Sequence, residues 1–195
     1  MDKKCPYSAV ILAGGSSSRM KTNKALLEFH GRSIIQTIID KLQLFFQQII
    51  IISNQPDQYS HFNLPIYCDI ILNRGPLSGI HSGLKNITTN GAFFVACDMP
   101  FVNPQLAQEL TSNLSYYQAV VPRQGEYLQP LYAAYRKDCI QAVEQALQIE
   151  RPRIKSFYDL VQVNYFDIYK RPQYNWDKIF FNVNTPEEYQ IAQKL

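Results

Sequence analysis

The 195-residue chain has no apolar run near the ~20 residues that a membrane-spanning helix needs, so a helical span is not expected. Its N-terminus lacks the apolar core of a secretory signal. Lys3 and Lys4 precede only a short apolar stretch, Ala9 to Ala13, which runs into glycines and then Arg19. Cysteine is sparse and irregularly spaced. Cys5, Cys68, Cys97 and Cys139 form no C-x-x-C pair and read as free thiols of a reducing compartment, so a cytoplasmic location is expected. The three histidines, His30, His61 and His81, have no Cys or His neighbour at zinc spacing. Strong charge of either sign is also missing. Nineteen basic against sixteen acidic residues leave +3, without the dense basic stripe of a nucleic-acid binder. That balance suits an enzyme acting on small polyanions. No repeat, low-complexity tract or long linker interrupts the chain.

Apolar residues make up 46% of the chain, with 13 Tyr and 11 Phe, enough for one domain with a substantial core. Strand-like runs are expected at 7–13, 48–53, 65–72, 92–97, 117–122, 130–135 and 161–167, with 180–182 a further short segment. Helical spacing is expected from Ser33 as cap through Phe46, and over 75–87, 104–113, 137–149, 153–160 and from Pro186. Residues 169–178 read as a loop. Alternating strands and helices predict an α/β layer fold with a mostly parallel sheet. Such a sheet would gather the loop after residue 13, Asn54, Asp69, the Gly75 loop and Asp98 on one rim.

Residues 11–24 carry the strongest local signal. An apolar strand stops at Gly14-Gly15, three serines follow, and Arg19 and Lys24 come next. Glycines let a phosphate approach the backbone, and successive N–H groups form an anion nest. Arg19 adds a planar fork and Lys24 a mobile point charge. The spacing is neither Walker A nor the dinucleotide pattern Gly-x-Gly-x-x-Gly. An ordinary Gly-Ser loop flanked by surface cations is the competing reading.

Asp98 directly follows an apolar strand, where a carboxylate can hold Mg²⁺ or serve as a turn residue before Pro100. The segment Gly75-Pro76-Leu77-Ser78-Gly79 either presents helix N–H groups to a ligand or is a tight strand-to-helix turn. Asn182 and Asn184 lie two apart, so an extended backbone would turn both amides the same way. Thr185 can at the same time cap the last helix. The basic stretch Arg151, Arg153, Lys155 either attracts a phosphate-bearing substrate or is a solvated helix start.

Taken together, Leu12-Ala13-Gly14-Gly15-x-Ser17-x-Arg19-Met20 with Lys24, Gly75-Pro76-Leu77-x-Gly79, Cys97-Asp98-x-Pro100 and Asn182-x-Asn184-Thr185-Pro186 resemble the molybdenum cofactor guanylyltransferases, the MobA family. The first motif alone is shared with cytidylyl- and sugar nucleotidyltransferases. The resemblance covers about residues 8–190. It implies a three-layer Rossmann-like nucleotidyltransferase fold in a single domain, 1–195, with a nucleotide-binding half near 7–115 and an acceptor-binding half near 116–195. It implies transfer of GMP from Mg-GTP to the terminal phosphate of Mo-molybdopterin, with release of pyrophosphate. Nucleotide contacts would fall to Leu12, Ala13, Gly14, Gly15, Lys24, Asn54, Asp69 and Asp98, and acceptor contacts to Asn182 and Asn184. Arg19, Lys24 and Asp98 would be catalytic, with Asp98 binding Mg²⁺ as the cofactor. Partners would be the two substrates, with transient contacts to molybdopterin-synthesis proteins and molybdoenzyme apoproteins, and neither nucleic acid nor membrane.

Three positions depart from the family pattern. Lys21 stands where relatives usually have Gly, Asn23 where they have Asp before the lysine, and Gln129 where many have His before Pro130. The first two make the loop more cationic. A cytidylyl- or sugar-phosphate transferase, and a noncatalytic nucleotide- or pterin-binding protein, are the alternative readings.

Overall fold

The structure is a computed structural model and describes residues 4–14 and 23–195. The chain begins with β1 (Ser8–Leu12), a hairpin of β2 (Glu28–Phe29) and β3 (Arg32–Ser33), and α1 (Ile34–Leu42). Next come β4 (Ile49–Ile52), β5 (Ile66–Tyr67), α2 (Pro76–Asn86), β6 (Gly91–Ala96) and α3 (Pro104–Ser112). The remainder holds β7 (Ala119–Gln124), β8 (Tyr127–Leu128), β9 (Tyr132–Arg136), α4 (Ile140–Leu147), β10 (Val163–Asp167), α5 (Trp176–Ile179) and α6 (Pro186–Ala192).

The main sheet has the order β10-β7-β9-β6-β1-β4-β5, with β8 paired to β7. Pairs among β6, β1, β4 and β5, and the β10–β7 pair, are parallel. Strand β9 runs antiparallel to both of its neighbours. The expected mostly parallel α/β sheet is therefore present, with β9 inserted in reverse and the short β8 also antiparallel to β7.

Helices cover both faces, which is why the central strands read as unbroken apolar runs. Ala9, Ile11, Ile49, Ile51, Phe93 and Val95 point toward α1 and α3. The alternating set Val10, Leu12, Ile50, Ile52, Ala92 and Phe94 packs under α2 and α4. The three layers thus follow from the two-residue strand period meeting amphipathic helices on either side. Ser33 caps α1 by accepting the Gln36 N–H at 3.3 Å. Thr185 and Glu188 form a capping box on α6.

Chain order creates the cleft. From β1 the chain passes outward to β4 and β5, then crosses back to β6 on the other side of β1. Loops leaving β1 and β6 therefore part at a topological switch point, where α/β sheets bind ligands. Close docking of α2 keeps that point tight. A Cβ on Gly83 would lie 2.6 Å from the Phe94 ring and 3.0 Å from Val10.

Several elements differ from the sequence expectation. The strand at 65–72 shrinks to β5, because side chains take the next N–H groups out of the ladder. Asp69 N–H donates to Asn54 Oδ1 (2.9 Å) and Ile70 N–H to Ser82 Oγ (2.8 Å). Helix α1 stops at Leu42, whose carbonyl takes both the Phe45 and Phe46 N–H groups in a turn. Helix α4 starts only at Ile140, after a 3₁₀ turn, and Ile154–Leu160 is a 3₁₀ helix. The loop at 169–178 contains the start of α5, capped by Asn175 accepting the Lys178 N–H. Residues 180–182 form no strand: the Phe180 N–H bonds the Trp176 carbonyl and the Phe181 N–H the Lys178 carbonyl, which turns the chain at the end of α5. All four cysteines are free. Among the described residues no helix is long and apolar enough to cross a membrane.

Candidate active site

A cavity of about 960 Å³ opens at the switch point. Leu12, Ala13, Gly14, Lys24, Asn54, Asp69, Asp98, Asn182 and Asn184 all line it. Residues more than 150 positions apart in the chain, such as Lys24 and Asn184, thus meet at one wall. Gly15 and Arg19 lie outside the described residues, as do Lys21 and the three serines.

The ends of β1 and β6 are tied to each other and to β4. Cys97 N–H donates to the Leu12 carbonyl (3.0 Å), and Ala13 N–H to the Ile52 carbonyl (2.8 Å). Gly14 follows with nothing among the described residues within 4 Å of where a Cβ would stand. The backbone therefore borders open cavity there, as close approach of a ligand requires. Across the cleft Gly75 enters α2 at φ +66°, a conformation that strains any residue with a Cβ. Gly75, Pro76 and Gly79 bring the start of α2 to the cavity.

At the β4–β5 side, Asn54 and Asp69 bind reciprocally. Asn54 Nδ2 donates to Asp69 Oδ2 at 2.9 Å, while Asn54 Oδ1 accepts the Asp69 N–H. This pair presents a fixed amide and a fixed carboxylate at the cavity mouth.

Asp98 sits just past β6. Its carbonyl accepts the Val183 N–H at 2.9 Å, which straps the late asparagine segment to it. Its Oδ1 is buried without a hydrogen-bond partner among the described residues. Burial pushes the carboxyl pKa above the ordinary range, and the Lys24 ammonium pulls it part of the way back. Lys24 Nζ itself donates to Asn184 Oδ1 at 3.0 Å. Asn184 is held in turn by Glu188, whose Oε2 accepts the Asn184 N–H at 2.6 Å and the Thr185 N–H at 3.0 Å. Asn182 Nδ2 donates to the Phe180 carbonyl at 2.8 Å. The two asparagines reach the same cavity from an irregular segment, not from an extended strand. Cys97 borders the cavity too, but burial and the neighbouring Asp98 push its thiol pKa up to about 12, so it stays protonated and poorly nucleophilic.

Other sequence candidates do not reach the cavity. Arg151, Arg153 and Lys155 are not among its lining residues, and neither are the three histidines. His81 is buried in α2 and bonds Glu144 at 3.1 Å, a tie between α2 and α4. Among the described residues no group of three or more His, Cys, Asp or Glu is placed to hold a metal. Gln55, Gln58 and Tyr59 line the cavity without any spacing signal that would have singled them out. Glu188 had one, the Thr-x-x-Glu capping pattern.

The described residues can oppose one cation, Lys24, to the half-buried carboxylate of Asp98, beside the backbone at Gly14. Such a set is chemically suited to phosphate and a hard cation, and it contains no activated nucleophile among the described residues.

The chain as a whole resembles known proteins. Residues 9–162 match the family described as MobA-like NTP transferase domain. A probable molybdenum cofactor guanylyltransferase of Pelotomaculum thermopropionicum is 40% identical over 182 residues, covering 93% of this chain and 89% of its own. One from Clostridium perfringens strain SM101 is 40% identical over 187 residues, covering 94% of each chain. Among solved structures, molybdopterin-guanine dinucleotide biosynthesis protein A of Archaeoglobus fulgidus superposes with a TM-score of 0.84 at 24% identity, over 96% of this chain and 97% of its own. That likeness carries the fold, and the sequence matches carry the family: the chain belongs to the MobA-like NTP transferases.

Proposed function

We propose that the protein transfers GMP from Mg-GTP to the terminal phosphate of Mo-molybdopterin, yielding the guanine dinucleotide cofactor and pyrophosphate. The observation that carries this reading is the meeting of Gly14, Lys24, Asp98 and Asn184 at one cavity, in a chain 40% identical to proteins of that name. The nucleotide half is 7–115 and the acceptor half 116–195.

The acceptor phosphate oxygen is already an anion, so the step needs no general base. It attacks the α-phosphorus of GTP; the new P–O bond forms as the bond to the bridging oxygen breaks, and pyrophosphate leaves with that electron pair. The chain's task is to bring two anions together and hold them in line. Lys24, with Arg19 and the backbone N–H groups from Gly14 onward, neutralises the triphosphate; the Ala13 N–H is taken by the Ile52 carbonyl. Asn54 and Asp69 take the guanosine, and Asn182 and Asn184 the pterin-bearing phosphate.

Asp98 fits a magnesium site. Its orphaned, buried oxygen lacks a partner that a cation would supply, and one carboxylate with phosphate oxygens and water is a common Mg²⁺ set. Bound there, the ion supplies positive charge to the phosphates during transfer. The protein acts in the cytoplasm and meets molybdopterin-synthesis proteins and apoenzymes transiently.

The test is turnover with each NTP in turn, Mg²⁺, and Mo-molybdopterin generated in situ, with the dinucleotide product identified by mass. Product with GTP is expected. Product only with CTP or a sugar phosphate would overturn the reading.

A further inference from the structure

The turn that carries Lys24 is fixed by its neighbour. Asn23 caps the 3₁₀ turn Lys24–Leu26, and its Oδ1 accepts the Ala25 N–H at 3.1 Å. A backbone N–H can only donate, so this bond sets which end of the Asn23 amide is oxygen. The NH₂ end therefore points the other way, to the Tyr59 hydroxyl at 2.8 Å and to Gln58 Oε1. Gln58 passes the same polarity on, its Nε2 donating to Gln55 Oε1 at 2.9 Å. The Gln55 N–H donates to Ser53 Oγ at 3.2 Å, at the exit of β4.

A directed chain of amides thus runs from the Lys24 turn to the end of β4, along the wall of the cavity. Tyr59 anchors its first step: the ring is buried, 2% exposed, in the core beneath α1. Burial also raises the phenol pKa, which keeps the hydroxyl neutral. The Asn23 side chain is needed as both acceptor and double donor, and Asn is the residue of its size that supplies both. An Asp there would keep the cap. It would set a carboxylate against Gln58 Oε1 and add negative charge beside Lys24.

We propose that Asn23 is a positioning residue: its amide clamps the Lys24 turn to the β4 exit, so that the phosphate-binding cation and the Asn54–Asp69 pair hold a fixed separation. The proposal rests on the guanylyl-transfer reading, in which a single nucleotide spans both. It explains the departure at position 23 as a change of polarity matched by Gln58.

The test compares Asn23→Asp and Asn23→Ser with the unaltered protein. Measurements are Mg-GTP binding by calorimetry, KM for each substrate, kcat, and thermal unfolding without ligand. Asn23→Ser keeps a capping oxygen and loses the NH₂ donors without adding charge, so it guards against a folding defect in the Asp variant. For both variants, GTP binding weakens about ten-fold, the upper end of what one neutral hydrogen bond is worth, while KM for molybdopterin stays within about two-fold. The deficit of Asn23→Asp narrows as pH falls toward the carboxylate range, because a protonated carboxyl regains an O–H donor. The deficit of Asn23→Ser stays flat with pH. A general loosening would instead raise both KM values and lower the melting temperature in step. If the unaltered protein uses GTP and both folded variants bind it equally well, the positioning role is wrong and the transfer reading stands. If the unaltered protein neither binds nor uses GTP, the transfer reading fails and the positioning role falls with it.

Discussion

Asp98 concentrates the tension between stability and function in one side chain. Its Oδ1 is buried without a partner, and burial raises its pKa more than Lys24 lowers it. The native protein therefore binds an extra proton between the ordinary carboxylate pKa and the raised one, and loses stability as pH rises through that window. Replacing the charge with a neutral amide should stabilise the ligand-free fold. Asp98→Asn is expected to raise the melting temperature by ~2–4 °C at neutral pH, the shift that about 1 kcal/mol produces in a chain of this length. That gain should fade as pH falls to the ordinary carboxylate range. Activity should fall at least about 100-fold in the same variant, the scale of losing a preorganised electrostatic partner. Scanning calorimetry across pH checks the first claim and steady-state turnover the second. Lys24→Ala is expected to move the Asp98 titration further upward, which carboxyl ¹³C NMR reads directly. At this scale Asp98 was legible in the sequence because it directly follows an apolar strand run, and Lys24 because it closes the Gly-Ser loop that follows another. Asn23 was legible only as a departure. Its meaning depends on Gln58 and Tyr59, more than thirty positions away, and no local pattern encodes that contact.

Among the elements, the buried strands were the easiest to read, since both faces of β1, β4 and β6 are covered and every residue in them is apolar or small. The third strand was overextended because 65–72 is apolar in composition, while its N–H groups go to Asn54 and Ser82. Competition from side chains for backbone donors leaves no periodicity to detect. The antiparallel β9 was also hidden, since strand direction is set by pairing and not by composition. Two glycines separate packing from function at this scale. Gly83→Val would drive side-chain carbon into Phe94 and Val10, and about 1–3 kcal/mol of destabilisation is expected from overpacking, measurable by urea unfolding. Gly14→Ala meets none of the described residues within 4 Å, so stability should hold within about 0.5 kcal/mol while nucleotide binding weakens, because the methyl would occupy the proposed approach of the phosphate.

For the whole molecule, function follows from where the chain reverses. Strands β1 and β6 are adjacent yet separated by the excursion through β4 and β5, and their loops supply Gly14 and Asp98 to one cavity. The C-terminal segment then returns across that opening: Val183 bonds the Asp98 carbonyl and Asn184 takes Lys24. Residues proposed for the two substrates are in contact before either arrives, which suits direct transfer between two bound anions. The alternation of strands and helices made the rim of the cleft foreseeable, whereas the Lys24–Asn184 contact needed the folded chain. Transfer at the α-phosphorus is the central claim, and isotopic labelling tests it most directly. With Mg²⁺ and Mo-molybdopterin, α-³²P from labelled GTP should appear in the dinucleotide and γ-³²P in pyrophosphate. Recovery of the α label only in unlinked GMP or GDP, or incorporation from CTP and not from GTP, would contradict it.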